Sequence, residues 1–184
     1  MKKKSFFKSV AVFAALVCAT FVTISCSDDE KDPNEIVGVE INYQLSFNQD
    51  FVNVADFYIY YLNEKGEQVK EPITTTNWEK RVTLRNFPCK YGLYVKAEMK
   101  NPYPYEDSKY IDLRYERNMD VSPIKRNGSR GSTITHFNNE VKTSFQKSDV
   151  IAYLQGNGEK FDYQGHIFTK SGAESWTDIP WVFD

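Results

Sequence analysis

From Val37 to Phe47 every odd position is apolar (Val37, Val39, Ile41, Tyr43, Leu45, Phe47), while the even ones are Gly38, Glu40, Asn42, Gln44 and Ser46. Unbroken period-2 alternation commits this stretch to a β-strand with one buried face. The three-and-four apolar spacing of an amphipathic helix is absent. A strand buried on one face needs neighbours to pair with and a second layer to cover it, so the alternation alone points to a layered β domain.

The following segments supply the neighbours. Asp56–Leu62 carries Phe57, Ile59 and Tyr61 on one face and Tyr58, Tyr60 and Leu62 on the other. Apolar groups on both faces predict an interior strand, with tyrosine hydroxyls turned toward water. Asn63-Glu64-Lys65-Gly66 reads as a hairpin turn, because Gly66 can adopt a left-handed conformation. Pro72 and the run Thr74-Thr75-Thr76-Asn77 suit an edge and a loop. Further strands are expected at Glu79–Phe87, Leu93–Met99, Lys109–Tyr115, Thr133–Phe137, Val141–Phe145, Val150–Gln155 and Phe161–Phe168. Loops are expected at 101–107, at 122–132 and at 171–177, with a tight turn at Gln155-Gly156-Asn157-Gly158. Ile179–Phe183 reads as a last short strand or a docked tail. No long helical pattern follows residue 36. The expectation is an all-β chain, a single antiparallel β-sandwich of eight or more strands over residues 36–184.

The front end is of another kind. Lys2, Lys3, Lys4 and Lys8 precede an apolar run from Val10 to Ile24, and no acid occurs before Asp28. That run fits a signal-peptide core and is shorter than the ~20 residues of a membrane span. An uncleaved anchor would have to extend through Phe6 and Phe7, which Lys8 separates from the run. Thr23-Ile24-Ser25-Cys26 resembles the bacterial lipobox, with Thr23 standing where that family most often has Leu. The resemblance implies cleavage before Cys26, a diacylglycerol on its sulfur and an acyl group on the new amino terminus. Two or more acyl chains hold a protein stably on a bilayer. Cys18 lies inside the apolar core behind bulky Val17 and is the poorer candidate.

Ser27, Asp28, Asp29 and Glu30 follow directly, with Lys31 and Asp32 behind them. In composition this is an acidic, solvated tether. It also resembles the surface-export signal of lipoproteins of the Bacteroidota. Ser27 rather than Asp follows Cys26, so the inner-membrane retention signal of enteric bacteria is missing. Both readings place the cargo outside the inner membrane. The resulting division is a signal peptide at 1–25, a lipidated cysteine and tether at 26–35, and the sandwich thereafter. Losing residues 1–25 removes four Lys and no acid, which takes the formal charge from −2 to −6. Nothing in that balance favours nucleic acid. Cys89 is then the one free thiol, available for an intermolecular bridge or for burial in the core.

Val82-Thr83-Leu84-Arg85-Asn86-Phe87-Pro88 followed by Tyr91-Gly92-Leu93-Tyr94-Val95-Lys96-Ala97 resembles a motif shared by fibronectin-III-like, transthyretin-like and fimbrillin-type modules. In that motif a strand ends in Leu-x-x-Leu-x-Pro, turns through Gly and returns as Tyr-x-Val-x-Ala. The resemblance implies a sandwich and carries little functional information.

The sequence offers no recognisable catalytic site. His136 and His166 lie thirty residues apart and form no His-x-x-x-His or Cys-x-x-Cys pattern, so no metal is expected. There is no Gly-x-Ser-x-Gly elbow and no phosphate or calcium loop, and no cofactor is expected. Glu159 and Asp162 are a carboxylate pair of a kind too common to name a glycosidase. Aromatic residues, 15% of the chain, are the remaining lead. Tyr103 and Tyr105 lie in a proline-stiffened loop and Trp176 and Trp181 in the loop-rich tail, where exposed rings would stack on a sugar face or a protein partner. Three functions fit. The first is a non-catalytic outer-membrane or cell-surface lipoprotein that recognises a protein or glycan. The second is an accessory or anchor subunit of an adhesive filament. The third is a hydrolase with unrecognised carboxylates.

Overall fold

A computed structural model describes residues 31–156 and 161–183. The signal peptide, Cys26 and the tag Ser27–Glu30 lie outside the described residues, as do Glu159 and half of the turn expected at 155–158. The order of elements is β1 (Ile36–Phe47), α1 (Gln49–Val54), β2 (Ala55–Leu62), β3 (Gln68–Ile73), β4 (Asn77–Leu84), β5 (Cys89–Met99), β6 (Ile111–Lys125), β7 (Ile134–Phe145), α2 (Lys147–Gly156), β8 (Asp162–Phe168) and β9 (Glu174–Trp176). Two antiparallel sheets pack as a sandwich. Sheet A has the order β4-β1-β6-β7 and sheet B the order β3-β2-β5-β8-β9.

The alternation in β1 does what its period requires. Val39, Ile41, Tyr43, Leu45 and Phe47 are buried, and a register shift between Ile36 and Gly38 leaves Val37 half-buried. On the facing sheet Phe57, Ile59 and Tyr61 of β2 and Tyr91, Leu93 and Val95 of β5 complete the core. Gly66 has φ 76° in the β2–β3 turn, and Pro72 sits on edge strand β3, where a missing N–H breaks no second ladder. The short α1 closes one end of the core. Its cap Asn48 accepts from the Phe51 N–H, and the Phe51 ring packs against Phe47, Phe57 and Phe161.

Several expectations need correcting. Val150–Gln155 is not a strand but most of α2, which buries Val150 and Leu154, one helical turn apart. Asp149 Oδ2 accepts from the Gln146 N–H at 2.9 Å, the reciprocal half of a capping box. β6 does not stop at Tyr115; it runs to Lys125. Its inward positions are Ile111, Leu113, Tyr115, Arg117, Met119 and Val121, all buried, and the arginine among them hid the periodicity. Pro123, expected in a loop, lies in this strand. Its carbonyl accepts from the Gly131 N–H, so the donor it lacks faces the loop rather than a ladder. The two strands expected at 133–137 and 141–145 are one continuous β7, and Glu174–Trp176, read as loop, pairs with β8 as β9.

The Leu84–Ala97 motif also differs from the resemblance. Leu84 ends β4 in sheet A, and the chain crosses to sheet B before Cys89. Gly92 is no turn residue; it lies inside β5 opposite Gly165 of β8. The paired glycines leave a hollow on sheet B, filled by Ile179. A Cβ on Gly92 would stand 2.5 Å from Ile179 Cδ1, and one on Gly165 3.3 Å from its Cγ1. Residues 177–183 are thus a docked tail. The Ile179 N–H donates to Tyr163 Oη, Phe183 packs on Tyr60 and Tyr94, and Gln68 bonds both backbone groups of Val182.

Candidate functional site

Among the described residues, three clusters of side chains that include a carboxylate tie one sheet to the other, and they differ in what they leave available. On the β3/β4 side, the Glu71 carboxylate accepts from Tyr61 Oη at 2.6 Å, Lys80 Nζ at 3.0 Å and Trp78 Nε1 at 3.1 Å. Burial pushes Glu71 up, but these donors outweigh it and hold the carboxyl below its usual range. Deeper in the core, Arg117 Nη1 of β6 meets Asp162 Oδ1 of β8 at 2.6 Å, and Tyr115 Oη donates to Asp162 Oδ2 at 2.6 Å. Burial and the adjacent Asp162 charge raise Tyr115 well above the ordinary phenol value, so it stays a donor. In both clasps the carboxylate is committed to donors of the protein itself, while Arg117 Nε is buried without a hydrogen-bond partner. Asp162, half of the carboxylate pair noted in the sequence, is committed to structure.

The third group joins β7 to β8 and β9. His136 stands on β7 at the edge of sheet A; His166 and Glu174 stand on the paired strands β8 and β9 of sheet B. His136 Nε2 is 2.8 Å from Glu174 Oε1, and His166 Nδ1 is 3.5 Å from the same oxygen. One ligand atom from each of the three residues lies within 4.8 Å of the others. The imidazoles approach to 4.1 Å between centroids, and His166 stacks on Tyr91 with an interplanar angle of 14°.

Protonation follows from burial. Desolvation, then the charge on Arg117, pushes His136 down. Desolvation, then His136 and Arg117, pushes His166 down to about 4. Desolvation raises Glu174. Both rings are therefore held in the neutral form, each with one nitrogen free to accept or ligate. On His166 that nitrogen is identified by its other partner: Gln164 Oε1 lies 3.1 Å from Nε2 and assigns the N–H there. The Nδ1 lone pair then points at a carboxylate oxygen.

Of the aromatic candidates, Trp176 alone keeps a largely free face. It is 59% exposed on β9, at right angles to the Tyr163 ring. Tyr103 and Tyr105 are half-buried. Tyr105 Oη donates to Asp50 Oδ1 at 2.8 Å and accepts from Asn53 Nδ2 at 2.7 Å, with Lys109 Nζ 3.5 Å above its ring, so the loop folds Tyr105 back onto α1, and the Tyr103 ring packs edge-on against it. Trp181 is half-buried in the docked tail beside Tyr94, and its Nε1 is shielded. Phe137, a residue the sequence did not single out, is 58% exposed on β7 beside His136. Cys89 is 2% exposed and burial pushes its thiol up to about 11, so its sulfur is not offered for an intermolecular bridge. Among the described residues, no helix is long and apolar enough to cross a membrane.

Comparison with protein-family models, with curated proteins and with solved structures returned no match.

Proposed function

We propose that this chain is a non-catalytic lipoprotein, anchored through Cys26 to the outer membrane and facing outward, whose sandwich meets a glycan or a surface protein on its β7/β9 side. The observation that carries the reading is Trp176, the one candidate ring left 59% exposed. It is carried on a paired strand and braced edge-on by Tyr163. A ring already held in place loses little entropy on binding and offers a flat apolar face to sugar CH groups or to a partner's side chain. Of the carboxylates the hydrolase alternative drew on, Asp162 is engaged by Arg117 and Tyr115, and Glu159 lies outside the described residues.

A glycan array and a cell-surface pull-down, each run with wild type and Trp176→Ala, test the reading. It predicts a bound glycan or protein whose affinity falls at least about tenfold in the variant, as for a central aromatic contact. Binding unchanged by the substitution refutes this location for the site.

One observation favours the filament alternative. β7 is 12 residues long and, among the described residues, pairs only with β6. A long edge of this kind can accept a donated strand. Co-purifying pilus subunits, lost when proline replaces Asn139 on that edge, would move the assignment to this second role.

A further inference from the structure

We propose that His136, His166 and Glu174 bind one divalent transition-metal ion of zinc's type, which fastens the two sheets together on the β7/β9 side. The proposal stands apart from partner recognition and needs no partner to be tested.

The donor set is two imidazole nitrogens and a carboxylate, a combination that suits zinc and neighbouring first-row ions rather than calcium or magnesium. The spacing is right for one ion. Bonds of about 2.0–2.1 Å in a tetrahedron put neighbouring donors about 3.3 Å apart. Here the carboxylate oxygen lies 2.8 Å from one ring nitrogen and 3.5 Å from the other, and the three ligand atoms all lie within 4.8 Å of one another, so closing on one ion takes a movement of the side chains by an ångström or so.

A direct hydrogen bond serves His136 and Glu174 but leaves His166 unexplained. With its N–H engaged by Gln164, the Nδ1 lone pair of His166 faces an oxygen lone pair at 3.5 Å, a contact that a cation relieves. Gln164 also does for His166 what an outer hydrogen-bond partner does for a ligating histidine: it sets the tautomer and the ring plane. Stacking on Tyr91 holds the same plane from the side. The side chains of His166 and Glu174 are 9% and 11% exposed, and that of His136 20%. The ion would be shielded on sheet B and reachable past His136, where solvent completes its coordination.

The consequence is mechanical. The three ligands come from three strands and both sheets, and Cys89 is buried as a free thiol. A metal bridge supplies the covalent-like link between sheets that the described cysteine does not.

The test uses untagged full-length protein, stripped with a chelator and titrated with Zn²⁺ by calorimetry and with Co²⁺ by visible absorption. One equivalent should bind, with the visible bands of four-coordinate cobalt, and zinc should raise the melting temperature. His136→Ala and the isosteric Glu174→Gln should each weaken zinc binding at least tenfold and abolish the thermal shift. Asp107→Asn, on the far loop, should change neither. Circular dichroism of the metal-free variants distinguishes lost ligation from lost folding, and Glu174→Gln remains informative where a histidine replacement unfolds. Absence of stoichiometric binding, or binding that both variants retain, overturns the proposal and leaves the three residues as a hydrogen-bonded clasp.

Discussion

The Arg117–Asp162 pair is the most sensitive point of the core. Both side chains are nearly excluded from water, 5% and 8% exposed, and meet at 2.6 Å between the sheets. Asp162→Asn keeps the shape and one acceptor for Tyr115 but leaves the guanidinium buried without a counter-charge. Breaking a buried pair from one side costs about 3–5 kcal/mol, against a total stability of about 5–15 kcal/mol for a typical domain. At about 2–4 °C per kcal/mol for a domain of this size, the melting temperature should fall by about 6–20 °C. Urea unfolding followed by far-ultraviolet circular dichroism gives the free energy, provided the slope is unchanged. The stronger test removes the whole group. Arg117→Met/Asp162→Leu/Tyr115→Phe leaves no charge and no buried hydroxyl, and should be less destabilised than the single variant although it changes three residues. A single variant within about 1 kcal/mol of wild type, or a triple variant less stable than the single, would refute the reasoning.

Two further outcomes follow from the core and the tail. Gly92→Ala places a methyl group 2.3 Å from the Gln164 carbonyl oxygen and 2.5 Å from Ile179 Cδ1. It should cost about 1–3 kcal/mol and make residues 177–183 more open to proteolysis, whereas a loss under about 0.5 kcal/mol with an unaltered tail contradicts the docking described. Cys89, with its thiol raised from 9.0 to about 11, has its thiolate depleted about hundredfold at pH 8. Peptide mapping after iodoacetamide should show it alkylated at least that much more slowly in the native than in the urea-unfolded protein; equal rates rule out the burial.

What the sequence revealed, and what it hid, divides along the range of the interactions. β1 was legible because a strand's alternation reports its own burial, and β2 because apolar groups on both faces mark an interior strand. β6 was read only in part, since Arg117 occupies an inward position and looks like an interruption until Asp162, 45 residues away, supplies its partner. Val150–Gln155 is apolar on every side, so period 2 and period 3.6 both fit it. The decisive signs were the four-residue spacing of Val150 and Leu154 and an acid at 149 able to cap. Gly92 looked like a turn because its real reason, the side chain of Ile179, lies far along the chain. The histidine–glutamate group was out of reach for the same cause. Reading Thr169–Ala173 as a hairpin turn, with Gly172 at φ 86°, would have paired Glu174 with the strand of His166. Nothing local points to His136. Tyr103 and Tyr105 were expected outside because prolines flank them, yet both are half-buried, and the Tyr105 hydroxyl finds Asp50 and Asn53 on a helix too short to show in the sequence.

The sandwich acts as a surface module only if lipid on Cys26 carries it outward, and an intact-mass measurement on protein extracted from the membranes of its own cells bears on this most directly. The expected chain begins at Cys26 and carries a diacylglyceryl thioether with further acylation at the amino group. A chain that retains residues 1–25, or a mature form whose Cys26 is unmodified, contradicts it.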